Sequence, residues 1–279
     1  MRLVSWNIAR QPEAWNYLAR DDSIDVALLQ EANEPTALDQ MDVVSGRPFR
    51  LAGWKKRAFS TAVVDCSQRY DVRATPAWNS IERASADELG VSRPGSLALA
   101  TVTGPDLAAP LVVVSVYAAW EEPVPKNEAS WIYADASAHR LISDLCALLQ
   151  RQKDHRILVA GDWNILHGYG EDGSPYWAGR YRSVFDRMKT LGLQFVGPQQ
   201  PNGQAATDPA AELPADSLDV PTYRTRRNDP RSARRQLDFV FASTRIAEAV
   251  TTTALNTPGA WGPSDHCRVR IDVNETLLG

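Results

Sequence analysis

Cysteine is scarce in this chain of 279 residues: there are three, Cys66, Cys146 and Cys267. Odd in number and widely spaced, they argue against a disulfide framework or a cysteine zinc cage and fit reduced core residues of a cytosolic protein. Positive charge is also short, since 30 lysines and arginines face 34 acidic residues, for a formal net charge of -4. Such a chain exerts no long-range pull on polyanions, so contact with nucleic acid would need a local basic patch or bound metal. No stretch reaches the roughly 20 apolar residues of a membrane span. The opening MRLVSWNIAR is broken by Asn7 and Arg10 where a secretory signal would carry its apolar run. The expectation is a cytoplasmic protein without membrane contact, and no feature demands a protein partner.

At 44% apolar composition the chain can bury a large core, and one domain spanning residues 1–279 is expected. Apolar runs of strand length recur at 3–8, 26–30, 60–64, 96–102, 111–117, 157–160, 237–241 and 269–273. The run LVVVSVY is apolar at successive positions, as in a strand covered on both faces. Helical periodicity covers 136–152 and 181–191, with shorter helices over 12–20 and 84–89. Residues 197–221, rich in Pro, Gly, Ala and Asp, read as a long ordered loop. The favoured architecture is a four-layer α/β sandwich, two mixed β-sheets face to face with helices outside, although composition alone fits a doubly wound sheet equally.

Four apolar runs end abruptly in carboxylate, amide or imidazole groups. LVSWN ends at Asn7, VALLQE at Glu31 and ILVAGDWN at Asp162 and Asn164, while GPSDH supplies Asp265 and His266. A single aspartate at a strand end is usually a turn former or helix cap; four such ends with complementary chemistry weaken that reading, because strand ends on one sheet edge converge. Hydrolysis of a phosphate ester needs a hard cation, a group to activate water, and donors for the developing charge. Glu31 and Asp265, with the Asn7 carbonyl, form an oxygen ligand set suited to Mg2+ or Mn2+. Asp162 is the expected water-activating base, and Asn164, two residues on, shares its side of an extended chain. His266 would donate to a phosphoryl oxygen, oriented by Asp238 of QLDFVF.

The ordered segments SWN, LLQE, SVY, GDWN, LDFVF and SDH resemble the endonuclease/exonuclease/phosphatase superfamily, the group of deoxyribonuclease I, exonuclease III and the inositol polyphosphate 5-phosphatases, over nearly the whole chain. The resemblance implies the four-layer sandwich and Mg2+ dependence. It also implies that Tyr117 contacts phosphate and that Asp238 pairs with His266. Two departures stand out. Ala9 lies where some nucleases of the group carry an acid, so metal binding leans on Glu31 and Asp265, and AAWEEP after Tyr117 lacks the turn common in abasic-site endonucleases.

The one concentrated basic patch, TYRTRRNDPRSARRQLDF, places Arg224, Arg226, Arg227, Arg234 and Arg235 ahead of Asp238, where guanidinium groups would grip phosphates. A solvated loop is the plainer alternative. Of nine tryptophans, Trp54, Trp120, Trp163, Trp177 and Trp261 fall in or near predicted loops. Trp120 and Trp261, flanking Tyr117 and Asp265, are the candidates for stacking on substrate, and Trp6 and Trp163 for buttressing the motifs. His139 and His155 read as surface histidines, and His167 as hydrogen-bonded and structural. Three readings follow: a Mg2+-dependent nuclease acting on nucleic acid, a phosphatase or phosphodiesterase for a small phosphorylated molecule or lipid headgroup, and a noncatalytic binding module.

Overall fold

The structure, a computed structural model, describes residues 1–35, 41–46, 60–121, 134–149 and 154–274. In chain order the elements are β1 (Arg2–Asn7), α1 (Glu13–Ala19), β2 (Val26–Ala32), β3 (Asp42–Ser45), β4 (Ser60–Asp65), β5 (Asp71–Arg73), β6 (Trp78–Ser80), β7 (Leu89–Val91), β8 (Leu97–Thr103), β9 (Leu111–Tyr117), α2 (Ala134–Leu149), β10 (Ile157–Asp162), α3 (Pro175–Thr190), β11 (Leu193–Gly197), β12 (Asp238–Ser243), β13 (Val250–Ala254) and β14 (Val269–Val273). One sheet runs β13-β14-β1-β2-β4-β3 and the other β11-β12-β10-β9-β8-β5. Each is built around one parallel pair, β1 with β2 and β9 with β10. The expected four-layer α/β sandwich is the observed architecture.

Strand alternation explains both the layers and the site. Because successive side chains point to opposite faces, Leu3, Val26, Leu28, Val113, Leu158, Ala160, Val240 and Ile271 meet in one core cluster between the sheets. Val4, Trp6, Ala27 and Leu29 face outward onto Ala14, Trp15 and Leu18 of α1. Val112, Val114, Ile157, Val159, Phe239 and Phe241 pack against Leu141 and Leu145 of α2 and Val184 and Met188 of α3. The inward series therefore run Leu3-Ser5-Asn7, Leu111-Val113-Ser115-Tyr117 and Leu158-Ala160-Asp162, apolar in the middle and polar where the strand emerges. One step beneath the site, the buried Gln30 amide bridges the sheets, donating to Ser115 Oγ at 2.9 Å.

Several expectations need correction. Residues 84–89 form turns leading into β7 rather than a helix. Edge strands β11 and β13 were not foreseen, because LQFVG and VTTTA mix polar residues into short runs. His139 and His155 are half-buried and bonded, His155 Nδ1 lying 2.7 Å from Ser243 Oγ and His139 Nδ1 2.8 Å from an Arg187 nitrogen. Trp54 and the last three residues of the 136–152 helix lie outside the described residues. The loop expected over 197–221 is longer and starts one residue later: residues 198–229 connect without a helix or strand. No described helix is long and apolar enough to cross a membrane.

Gly161 shows how tightly the site row is held. A Cβ there would sit 1.9 Å from the carbonyl oxygen of Val116, on the neighbouring strand. Gly161→Ala is expected to destabilise the protein by at least about 2 kcal/mol, read as a lowered midpoint in thermal unfolding.

Candidate active site

Register brings the site together. Asp162 at the end of β10 lies opposite Tyr117 on β9 and Asp238 on β12, so the three share one row. From the other sheet, β1 delivers Asn7 beside Gln30 of β2. Glu31 arrives by a different route: strict alternation would send it outward with Ala27 and Leu29, but β2 carries a register shift between Leu29 and Ala32, and Glu31 has φ +47°. This bulge re-aims its carboxylate into the cleft. Asn164, at φ +51°, occupies a left-handed turn that asparagine tolerates better than most residues.

Asp162 is buried and held by three donors. The Asn7 amide nitrogen donates at 2.9 Å, the Asn164 backbone N–H at 3.0 Å and the Asn164 side-chain amide at 3.0 Å. His266 Nδ1 lies 2.8 Å from Asp238 Oδ2, and its Nε2 faces Asp162 Oδ2 across 3.7 Å, beyond hydrogen-bond range. The His266 backbone is fixed as well: Trp6 Nε1 donates to its carbonyl at 2.9 Å, and its N–H donates to Ser264 Oγ, whose hydroxyl donates to the Asn7 carbonyl at 2.6 Å. Trp6 and Trp163, the two tryptophans inside the motifs, are fully buried.

Electrostatics separate the two central groups. Burial raises the Asp162 pKa above the ordinary carboxylate range, with Asp238 and Glu31 adding to that and His266 and the Asn7 hydrogen bond opposing it. Burial opposes charge on His266 too, but the carboxylates of Asp238 and Asp162 and the Asp238 hydrogen bond outweigh it, so its pKa is raised and the ring is held as imidazolium. Cys66 and Cys267 have thiol pKa values pushed upward by burial, which leaves them unreactive.

These groups open into a cleft of about 890 Å³ lined by Arg10, Glu31, Tyr117, Trp120, Asp162, Asn164, Tyr223, Arg224, Arg226, Arg234, Arg235, Asp265 and His266, among others. Trp120 is half exposed on its wall. Trp261 is not: it is 1% exposed and lies beneath the Arg224 guanidinium, so a substrate-contacting role gives way to packing. Arg224 donates to the carbonyls of Arg226, Asn228 and Ser264 and thereby shapes the loop beside Asp265. Arg227 is exposed and absent from the lining. His167 pairs with Asp219 at 2.8 Å among Phe185, Phe195 and Phe239. Tyr223 was missed in the sequence; its ring stacks at a tilt 5.1 Å from that of His266 and its backbone bridges to the same residue. The only signal was its place at the head of the arginine run.

Two arrangements bear on a metal. Among the described residues, Asp162, Asp238 and His266 bring ligand atoms within 4.8 Å of one another, but the His266 ring already lies against both carboxylates. Glu31 and Asp265 are further carboxylates on the cleft wall, and among the described residues Asp238 Oδ1 is buried without a hydrogen-bond partner. Glu31 and Asp265 both present carboxylate oxygens to the cleft, and hard oxygen donors of this kind fit a divalent cation. Asn7 does not present its carbonyl to that position. Its oxygen accepts from the Ala9 N–H at 2.9 Å and its amide nitrogen faces Asp162 and Glu31; turning the amide over would oppose donor to donor.

No model of a known protein family matches the chain, and no curated protein does. Solved structures do. The AP endonuclease LMAP from Leishmania major superposes with a TM-score of 0.63 at 18% identity, covering 98% of this chain and 87% of the other. The APE2 catalytic domain from Xenopus laevis gives 0.63 at 16%, covering 98% and 92%. The 3' phosphatase NExo from Neisseria, bound to product DNA hairpin, gives 0.57 at 15%, covering 98% and 99%. At these identities the likeness establishes the fold, the α/β sandwich of the exonuclease III and deoxyribonuclease I-like proteins.

Proposed function

We propose that this chain is a divalent-metal-dependent phosphodiester hydrolase of the cytoplasm whose substrate is nucleic acid. The observation that carries this reading is the hydrogen-bonded constellation at the open sheet edge: a carboxylate fixed by two asparagines beside an imidazolium fixed by a second carboxylate. The structural neighbours that act on DNA support it in kind.

Glu31 and Asp265 would hold Mg2+ or Mn2+, which when bound supplies charge neutralisation at the phosphoryl and leaving oxygens. The chain's own groups do the rest. Asp162, in its ionised form, orients water and accepts its proton. Asn7 and Asn164 hold the carboxylate in one orientation. His266, protonated and aligned by Asp238, donates from Nε2 to a phosphoryl oxygen, and Tyr117 contacts the phosphate from the same row. Arg226, Arg234 and Arg235 meet flanking phosphates, and Trp120 offers a face to an unpaired base.

One observation favours a smaller substrate. Arg235 is paired with Glu171 at 3.0 Å and Arg234 with Asp208, so two arginines of the basic patch are neutralised by the chain's own acids. Product analysis separates the readings: new polynucleotide termini indicate the nuclease, while inorganic phosphate released from small monoesters, with polynucleotides untouched, indicates a phosphatase. For the nuclease, Glu171→Gln frees Arg235 and is expected to tighten polynucleotide binding by roughly threefold and steepen its salt dependence by about one counterion. Fluorescence anisotropy across a salt series measures both.

A further inference from the structure

Arg10 lines the cleft beside Glu31. It follows Ala9, and both adopt left-handed backbone, at φ +46° and +59°, without being glycine. Such conformations cost of order 1 kcal/mol or more each and persist where the surroundings impose them. Here the Ala9 N–H is tied to the Asn7 side chain at 2.9 Å and the Arg10 N–H to the Glu31 carbonyl at 3.1 Å. The turn thus delivers a guanidinium to the mouth of the cleft, with Nε 3.9 Å from Glu31 Oε2 and the side chain 55% exposed. That separation exceeds a hydrogen bond, and an exposed ion pair of this kind adds little stability. The turn therefore sets the Arg10 guanidinium beside a carboxylate that opens into the cleft.

Building on the metal-dependent reading of the site, we propose that Arg10 is a phosphate-binding residue kept on Glu31 until a divalent cation takes that carboxylate. Two cations compete for one carboxylate. When the metal engages Glu31, Arg10 is released toward the phosphate that the same metal attracts, so metal and phosphate each favour binding of the other through Arg10. Coupling of this kind is reciprocal. No bond is made or broken in the exchange, only ion pairs.

The test uses the full chain and Arg10→Gln, with Arg10→Lys to restore charge without the fork. Mn2+ binding to the substrate-free protein, followed by electron paramagnetic resonance, is expected to tighten about threefold to tenfold in Arg10→Gln, because the competitor for Glu31 is gone. Thymidine 5'-phosphate binding in excess Mg2+ is expected to weaken at least fivefold, with Arg10→Lys in between on both measures. Unchanged Mn2+ affinity together with unchanged nucleotide affinity would overturn the role of Arg10 while leaving the hydrolase reading intact. Failure of the wild type to bind Mn2+ at all would overturn both. Equal thermal midpoints for the three proteins would show that the effects come from charge and not from the turn.

Discussion

Asp162→Asn is expected to lose about 10²–10⁴-fold in kcat while the folded protein becomes more stable in metal-free buffer. The substitution keeps shape and leaves one oxygen to accept from the Asn7 and Asn164 side-chain amides, at the cost of setting its NH2 against the Asn164 N–H, and it removes the group proposed to take the proton from water. The stability gain follows from linkage. Burial raises the carboxyl pKa in the folded state. A group so raised contributes stability below its unfolded pKa, and that contribution is lost as pH rises through the folded value. Wild type therefore carries a cost at neutral and alkaline pH that asparagine does not. Relief of about 1–2 kcal/mol would raise the midpoint by roughly 2–8 °C. Thermal unfolding at pH 8 in chelator should show the difference, and at pH 4 or below it should shrink toward zero. A variant equally inactive but less stable at pH 8 would mean that Asp162 is held for structure.

Asp238→Asn is the second large effect. Asp238 has no direct access to a reacting group here: it lies behind His266, bonded to Nδ1. Its carboxylate is the first of the influences that keep the buried imidazole charged. With that charge gone, burial prevails and the His266 pKa falls. The expected result is a loss of about 10²–10³-fold in kcat at pH 8 with KM changed little, and an alkaline limb of the pH–rate profile displaced toward acid. Histidine signals in a nuclear magnetic resonance titration provide the independent check. A uniform loss at all pH values with the limb unmoved would show that Asp238 sets only the geometry of the ring.

Much of this site was legible because it obeys strand alternation. Asn7, Asp162 and Asp238 are polar residues at the inward positions of otherwise apolar strands, and each lies at the sheet edge that the pattern implied. The central strands β1, β9 and β10 were readable for the same reason, their apolar runs being long. Legibility ended where the backbone departs from regularity. The bulge that turns Glu31 inward leaves no mark in VALLQEA, and the left-handed turn that aims Arg10 leaves none in NIAR, since neither contains glycine. Trp261 was misplaced because nearness to Asp265 in sequence does not fix which way a loop side chain points; the ring lies under Arg224, away from the cleft. The arginine run was read as uniformly available, whereas Glu171 and Asp208, remote in sequence, pair with two of its members. The Asn7 carbonyl was assigned to metal from composition of the motif alone, and only the N–H of Ala9 decides its direction.

The measurement that bears most directly on the central claim is cleavage of defined single-stranded and duplex oligonucleotides by the wild type and Asp162→Asn, in chelator and with Mg2+ or Mn2+ restored. New termini are expected only with metal present, and from Asp162→Asn at least about a hundredfold more slowly than from wild type. Cleavage that persists in chelator, or an Asp162→Asn protein as active as wild type, would contradict that claim.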